Sequence, residues 1–155
     1  MDLFEIEKPK PRGYASVPMA QRLVALLAEY DTMLYMNERD MQDGFTLLLD
    51  SRGVPYEREA TLPSGAGRID FRFNRVGLEM KMNGSLADLT RQLHRYAECG
   101  EFDVIVLASS RARLTCELWR TLPHTTFGGL SCGTLASVPI IVKVLGGLFG
   151  DVFDR

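Results

Sequence analysis

The sequence lacks the cysteine patterns of disulfide-rich and zinc-binding proteins. Its three cysteines, Cys99, Cys116 and Cys132, are odd in number and widely spaced, and no Cys-x-x-Cys pair occurs. Such cysteines are typical of free thiols in a reducing compartment. The first residues also show no secretory signal pattern. We therefore expect a cytoplasmic protein.

Other absences exclude further classes. The longest apolar stretch, from Val138 to Phe153, is interrupted by Pro139, Lys143 and glycines, so it is too short and too broken to span a bilayer. The formal net charge of -2 excludes a polycation, so a nucleic acid would have to be bound by a local basic patch. The sequence contains no Gly-rich phosphate loop, GxSxG elbow or HExxH motif, which removes several enzyme classes.

The patterns that are present predict one α/β domain with a mixed central sheet flanked by helices. The 155 residues fit a single domain, with 1–36 as an N-terminal arm and helix and 37–155 as a core with a C-terminal extension. Apolar periodicity and turn residues predict helices over 19–36, from Asn37 to Gly53 and from Ser85 to Gly100. Strands are predicted over 56–62, 68–73, 76–82, 102–108 and 138–145, with a short helix over 114–122 followed by a loop. The order is helix, three strands, helix, strand.

The hairpin between the second and third strands carries the chemical signal. With Asn74 and Arg75 as its loop, Asp70 lies opposite Glu79, and Lys81 points to the same face. Two facing carboxylates repel each other unless a counter-charge is present, and a hard divalent cation prefers such oxygen ligands. A metal there could activate water against a phosphodiester, with the Lys81 ammonium beside it.

A simpler interpretation stays open. Acidic and basic side chains on strands often form only a solvated face, and Glu79 with Lys81 could be a surface ion pair. An ExK triplet alone is a weak signal. The opposed Asp70 and the capped helix after the third strand strengthen the metal-site interpretation.

These elements resemble the ordered motifs of the PD-(D/E)XK nuclease superfamily, which includes restriction enzymes, Holliday-junction resolvases, recombination exonucleases and small phage or prophage nucleases. The resemblance covers about residues 37–108 and rests on Glu38, Gly67-Arg68-Ile69-Asp70, Leu78-Glu79-Met80-Lys81 and Gln92-Leu93-His94-Arg95-Tyr96. It implies a restriction-endonuclease-like αβββαβ core, Mg²⁺ or Mn²⁺ as cofactor, and cleavage of DNA. Ile69 replaces the proline of the family name, a departure that the superfamily tolerates.

The resemblance also implies roles for individual residues. Asp70, Glu79 and the carbonyl of Met80 would bind the metal, Lys81 would serve the attacking water, and Glu38 would be an auxiliary acid. Gln92 and Tyr96 resemble a Gln-x-x-x-Tyr element of the exonuclease branch; a helix flank with Tyr96 in the core is an equally simple interpretation. Four basic residues are candidates for phosphate contacts: Arg68, Arg72, Arg91 and Arg95.

Two functional hypotheses follow. The first is a Mg²⁺-dependent DNA nuclease, and the second is a nuclease-like fold that serves as a DNA-binding or protein-interaction module without turnover. The complete set of Asp70, Glu79 and Lys81 favours the first. DNA is the expected partner, a recruiting protein is a further one, and a homodimer through the stretch from Val138 to Phe153 is a third expectation.

Overall fold

The computed structural model describes residues 13–30 and 35–145. After a 3-10 turn at Tyr14–Ser16, these residues form four α-helices and seven strands. The helices are α1 (Val17–Tyr30), α2 (Glu38–Ser51), α3 (Leu86–Glu98) and α4 (Ala112–Thr121). The strands are β1 (Glu57–Leu62), β2 (Gly67–Phe73), β3 (Val76–Lys81), β4 (Val104–Ser109), β5 (His124–Phe127), β6 (Leu130–Leu135) and β7 (Val138–Val144). The predicted order of helix, three strands, helix and strand is confirmed.

The seven strands form one mixed sheet in the order β1-β2-β3-β4-β7-β6-β5. Strands β1 to β3 are antiparallel, β4 runs parallel to both β3 and β7, and β5 to β7 are antiparallel. Parallel neighbours need a crossover connection, and α3 supplies the one between β3 and β4. Every residue of β4 is buried, as its continuous apolar run predicts.

Helices cover both faces of the sheet. The stripes of α1 and α2, including Leu27 and Phe45, pack with Phe71 and Met80 in one apolar cluster. The stripes of α3 and α4, including Leu93 and Leu118, pack in a second cluster. Because α1 shares a cluster with the strands that carry the acidic residues, it belongs to the same core as the rest of the fold.

Side-chain caps start the two helices nearest the acidic residues. The Asn37 side chain accepts the amide of Asp40 at 2.8 Å, and the Ser85 hydroxyl accepts the amide of Asp88 at 3.1 Å. Both are N-cap interactions that satisfy otherwise unpaired amides of the first helical turn. The predicted starts of α2 and α3 are confirmed.

The alternation predicted for β2 is interrupted at its centre. Phe71 and Phe73 lie in the cluster under α1 and α2, but Ile69 lies in the cluster under α3 and α4. Residues two apart on a regular strand point to the same face. The strand therefore changes face between Ile69 and Phe71, which the period-2 pattern does not show.

The C-terminal third differs from its prediction. The loop expected after α4 is a hairpin of β5 and β6, closed by Gly128 and Gly129 with φ of 55° and 78°. Two glycines in the left-handed region make the tight turn that matches the twist of paired strands. The following turn, at Ala136 and Ser137, adopts positive φ without glycine.

The structure shortens one predicted helix and describes only part of the apolar stretch at the C-terminal end. The helix predicted over 19–36 is too long, because residues 35 and 36 are not helical; 31–34 lie outside the described residues. The apolar stretch proposed as a dimer interface begins as β7, an interior strand between β4 and β6, and its residues 146–153 lie outside the described part. Within residues 13–30 and 35–145, no helix combines the length and apolar character of a membrane span.

Candidate functional site

The acidic residues lie where β2 and β3 separate. The predicted register is confirmed for Phe73 with Val76, Arg72 with Gly77 and Phe71 with Leu78, but the ladder ends there. Asp70 and Glu79 are not a ladder pair; instead, Asp70 Oδ2 accepts the backbone N–H of Met80 at 2.8 Å. At this level of the sheet, a carboxylate takes the place of a main-chain carbonyl as the acceptor.

Glu79 is the most deeply buried charged side chain of the site. Its relative exposure is 2%, and Oε2 is buried without a hydrogen-bond partner among the described residues. Burial raises the pKa of Glu79 well above its ordinary value, and the neighbouring Asp70 carboxylate is the second cause of this increase. An unsatisfied buried oxygen is costly, and at functional sites it often marks a position that a ligand or ion completes.

Asp70 is shielded from water to a lesser degree. Burial raises the pKa of its carboxyl group, and the N–H donated by Met80 partly offsets that effect. The negative charge of Glu38 raises the pKa further, and the positive charge of Lys81 lowers it. The Lys81 charge also lowers the pKa of Glu79, whereas Glu38 acts on Asp70. Through Lys81 and Asp70, the four side chains form one electrostatic cluster.

Lys81 lies between two carboxylates. Its Nζ is 3.8 Å from Glu79 Oε1 and 3.9 Å from Glu38 Oε1. Glu38 reaches the sheet from the first turn of α2 and accepts the N–H of Met82 at 3.4 Å. The capped start of α2 therefore supplies the third carboxylate to the end of β3, as the sequence predicted for Glu38.

Gln92 and Tyr96 form a hydrogen-bonded chain behind the acidic pair. Gln92 Nε2 donates to the Tyr96 hydroxyl at 2.9 Å, and that hydroxyl donates to the carbonyl of Arg68 at 2.6 Å. Tyr96 is buried in the core, and burial together with the charge of Glu79 raises its pKa far above the usual value. It stays protonated near neutral pH, so it can position the start of β2 but cannot act as a base.

A cationic cleft of about 310 Å³ opens beside Lys81 along α3. Its polar lining comes from the loop after β3 and from one side of α3: Lys81, Asn83, Ser85, Asp88, Arg91, Gln92 and Arg95. Arg91 also pairs with Asp88, and both arginines are exposed. Cationic side chains beside a cleft are suited to binding phosphates.

The other two predicted phosphate-binding arginines are placed differently. Arg68 is exposed at the start of β2. Arg72 donates to Glu101 at 2.6 Å and stacks over the Phe102 ring at 5.6 Å. Arg72 lies opposite Gly77, and Gly77 is four residues before Lys81 on β3. The Arg72 guanidinium therefore lies away from the acidic cluster, and it already has Glu101 as its carboxylate partner.

A second cleft, of about 500 Å³, lies on the Glu38 side. It is lined by Glu38, Arg39, Gln42, Arg58 and Glu59. Gln42 lies four residues after Glu38 on α2, and nothing in the sequence signalled Arg58 or Glu59. Arg58 and Glu59 lie on β1, an edge strand whose polar residues resemble ordinary solvent-exposed positions in the sequence.

The carboxylate and carbonyl oxygens of the site determine which metal ion it could bind. No group of three or more His, Cys, Asp or Glu side chains that could hold a metal is found in the described part of the chain. The site offers two carboxylates, one with an unpartnered buried oxygen, and the Met80 carbonyl on the β2 side, where its N–H also points. One or two carboxylates with waters and substrate phosphates are what Mg²⁺ commonly accepts. These residues fit a hard cation and do not fit zinc, which prefers nitrogen and sulfur ligands.

Comparison with known proteins adds no identification: no family model, no curated protein and no solved structure matches the chain.

Proposed function

We propose that this protein is a Mg²⁺-dependent nuclease that hydrolyses DNA phosphodiester bonds. The observation that carries the proposal is the buried Oε2 of Glu79, which has no hydrogen-bond partner in the described part of the chain. It lies beside Asp70, and the Lys81 ammonium is 3.8 Å from the same carboxylate. Two acidic groups and a cation at the separation of two strands match the resemblance to PD-(D/E)XK nucleases. Buried ionisable groups with strongly shifted pKa values are concentrated at functional sites.

The proposed roles follow from position. Asp70, Glu79 and the Met80 carbonyl would hold Mg²⁺ (or Mn²⁺), which supplies charge neutralisation and lowers the pKa of water. Lys81 would orient the attacking water or stabilise the phosphate as its charge increases. Glu38, 3.9 Å from Lys81, would hold that ammonium in place. Gln92 and Tyr96 would hold the backbone of Arg68 and thus the entry to β2.

The cleft along α3 supports a polyanionic substrate. Arg91 and Arg95 line the same cleft as Lys81, so one phosphate group could contact the arginines while its neighbour reaches the acidic pair. Such contacts position a nucleic acid without reading its sequence. The net charge of -2 does not oppose this, because local cations determine phosphate binding at short range.

The cleavage experiment compares labelled linear, circular and branched DNA with Mg²⁺ and with chelator. Wild type should cleave only with the metal, and Asp70→Asn should be inactive. That variant keeps an oxygen that can accept the Met80 N–H, so it should fold. Asp50→Asn, an exposed acid on α2, is the matched control and should cleave like wild type.

Calorimetric titration with Mn²⁺ tests the metal separately. Wild type should bind, and the Asp70→Ala, Glu79→Ala double variant should not. Equal binding by both would refute the metal site. If wild type binds DNA but cleaves none of the substrates, the alternative of a binding module without turnover replaces the nuclease proposal.

A further inference from the structure

Glu59 has an unusual backbone for a residue inside a strand. Its φ is 52°, in the left-handed region that side chains other than glycine rarely adopt. The other described non-glycine residues with positive φ, Ser64, Asn74, Ala136 and Ser137, all lie outside the strands. A glutamate in this conformation costs free energy, and such strain persists where the surrounding structure requires it.

The strain lies directly across from Asp70. Pairing of β1 with β2 joins Arg58 to Phe71 and Ala60 to Ile69, and the position between them would pair Glu59 with Asp70. That pair is missing from the ladder. On the other side of β2, the ladder with β3 also stops at Phe71. Asp70 is therefore released from regular pairing on both sides.

In both β1 and β2, the face of the sheet to which the side chains point changes at the level of Glu59 and Asp70. Ile69 and Phe71 lie in different apolar clusters, as the interrupted alternation of β2 showed. Just before β1, Tyr56 packs on the cluster under α1 and α2. In β1, Arg58 lies over the Phe71 ring of that cluster, whereas Ala60 belongs to the other cluster. A single left-handed residue reverses the side-chain direction that follows it, so Glu59 accounts for the change in β1.

The change of face has a consequence for Asp70. A regular strand would direct this side chain to one face of the sheet. Here it lies between the strands, where Oδ2 accepts the N–H of Met80 at 2.8 Å beside Glu79. We infer that Glu59 is a positioning residue: its left-handed backbone twists β1 and β2 so that Asp70 enters the gap between β2 and β3.

This inference rests on the proposed nuclease function for its purpose, but its test does not depend on activity. The readout is the hydrogen-exchange rate of the Met80 amide, which donates to Asp70, divided by the rate of the Val106 amide in the buried strand β4. The ratio cancels global loss of stability. Asp70→Ala, which removes the acceptor, calibrates the largest change.

The variants exploit the conformational preference of each residue type. Glycine adopts positive φ readily and a β-branched residue does not. Glu59→Val should raise the Met80 ratio about tenfold or more, while Glu59→Gly should stay within about threefold of wild type. Glu59→Ala provides a milder intermediate if the valine variant does not fold. Glu57→Val and Glu57→Gly are matched controls, because Glu57 is an exposed glutamate on the same strand that pairs normally with Arg72.

Mn²⁺ affinity measured on the same variants separates this inference from the proposed function. The expected result is weaker binding by Glu59→Val and near-normal binding by Glu59→Gly. An unchanged Met80 ratio in Glu59→Val, or equal damage by valine and glycine, overturns the positioning role. If the ratio responds as expected but wild type binds no metal and cleaves no DNA, the nuclease proposal fails and the positioning of Asp70 by Glu59 stands.

Discussion

Glu79 is the side chain of the site that burial and charge repulsion destabilise most. Its carboxylate is buried beside Asp70, and the Lys81 ammonium is 3.8 Å away, beyond direct hydrogen-bonding distance. Without a cation, the charged form of this pair is disfavoured by burial and by mutual repulsion. The protein without metal should therefore be less stable at neutral pH than the same fold without this charge.

This cost predicts a specific pH dependence. The pKa of Glu79 in the folded protein is well above its ordinary value of 4.5, so the folded state holds the proton more tightly than the unfolded state. Stability must then fall as pH rises from about 4.5 through the folded-state pKa. Thermal melts in chelator from about pH 5 to about pH 8 should show wild type losing stability relative to Glu79→Gln over this window.

A control separates this effect from general acid titration. Glu57→Gln, which changes an exposed acid, should give a curve parallel to wild type. Parallel curves for wild type and Glu79→Gln would contradict the prediction. Added Mn²⁺ should reduce the wild-type loss, because a bound cation offsets the negative charge.

Lys81 should be needed for cleavage but not for DNA binding. The ammonium lies beside the proposed metal ligands, where it would act mainly on the chemical step. Lys81→Ala should lower the cleavage rate about a hundredfold or more, while DNA affinity stays within a few-fold of wild type. Cleavage and binding are measured in Mg²⁺, with Arg113→Ala on the exposed surface of α4 as control. Cleavage by Lys81→Ala at the wild-type rate would show that the centre is assigned wrongly.

Residue spacing predicted which side chains meet, but not how. The hairpin register brought Asp70, Glu79 and Lys81 together because a two-residue loop leaves little freedom to the strands. The direct pairing of Asp70 with Glu79 was wrong, since the Asp70 side chain bonds the Met80 amide instead. Nothing in the sequence signals the left-handed Glu59, because glutamate gives no local preference for that conformation.

At the level of elements, α3 contributes both support and charge. Its inner face buries Leu93 and Tyr96, while its exposed side carries Arg91 and Arg95 along the cleft. The proposed phosphate contacts would therefore leave the packing of the helix unchanged. Substitutions on the exposed side should change binding rather than stability.

The Arg91→Ala, Arg95→Ala double variant should bind DNA more weakly and with less dependence on salt. Each lost phosphate contact reduces the slope of log affinity against log salt by about 0.7 to 0.9. The double variant should lower the slope by roughly 1.4 to 1.8 and leave the melting temperature close to wild type. Arg113→Ala with Arg120→Ala on α4 is the matched control. An unchanged slope would remove both arginines from the interface.

Helices with clear caps were predicted better than strands closed by turns. Asn37 and Ser85 indicate the starts of α2 and α3 in the sequence, because their side chains accept amides that would otherwise be unpaired. The β5–β6 hairpin was missed although Gly128-Gly129 is a recognised two-glycine turn, because β5 is four residues long and mostly exposed. Its exposed polar residues give no alternating apolar pattern from which a strand could be predicted.

For the whole molecule, the N-terminal helix is part of the framework. Leu27 is fully buried in the cluster that also contains Phe71 and Met80. Leu27→Ala should lower the free energy of unfolding by about 3 kcal/mol, within the usual 2 to 5 kcal/mol for such a truncation. Leu47→Ala, at a leucine that is 70% exposed, should change it by less than about 0.5 kcal/mol. Urea denaturation measures both, and a loss below about 1 kcal/mol for Leu27→Ala would contradict the packing.

The position of β4 in the sheet has a consequence for biosynthesis. This strand pairs with β3 on one side and with β7 on the other, and β7 begins 29 residues after β4 ends. Until β7 has been synthesised and has paired, the Val104–Ser109 segment has one bare edge. Such an edge on a strand of apolar, β-branched residues can pair with other nascent chains. Truncations before Val138 should therefore aggregate rather than accumulate as smaller folded proteins.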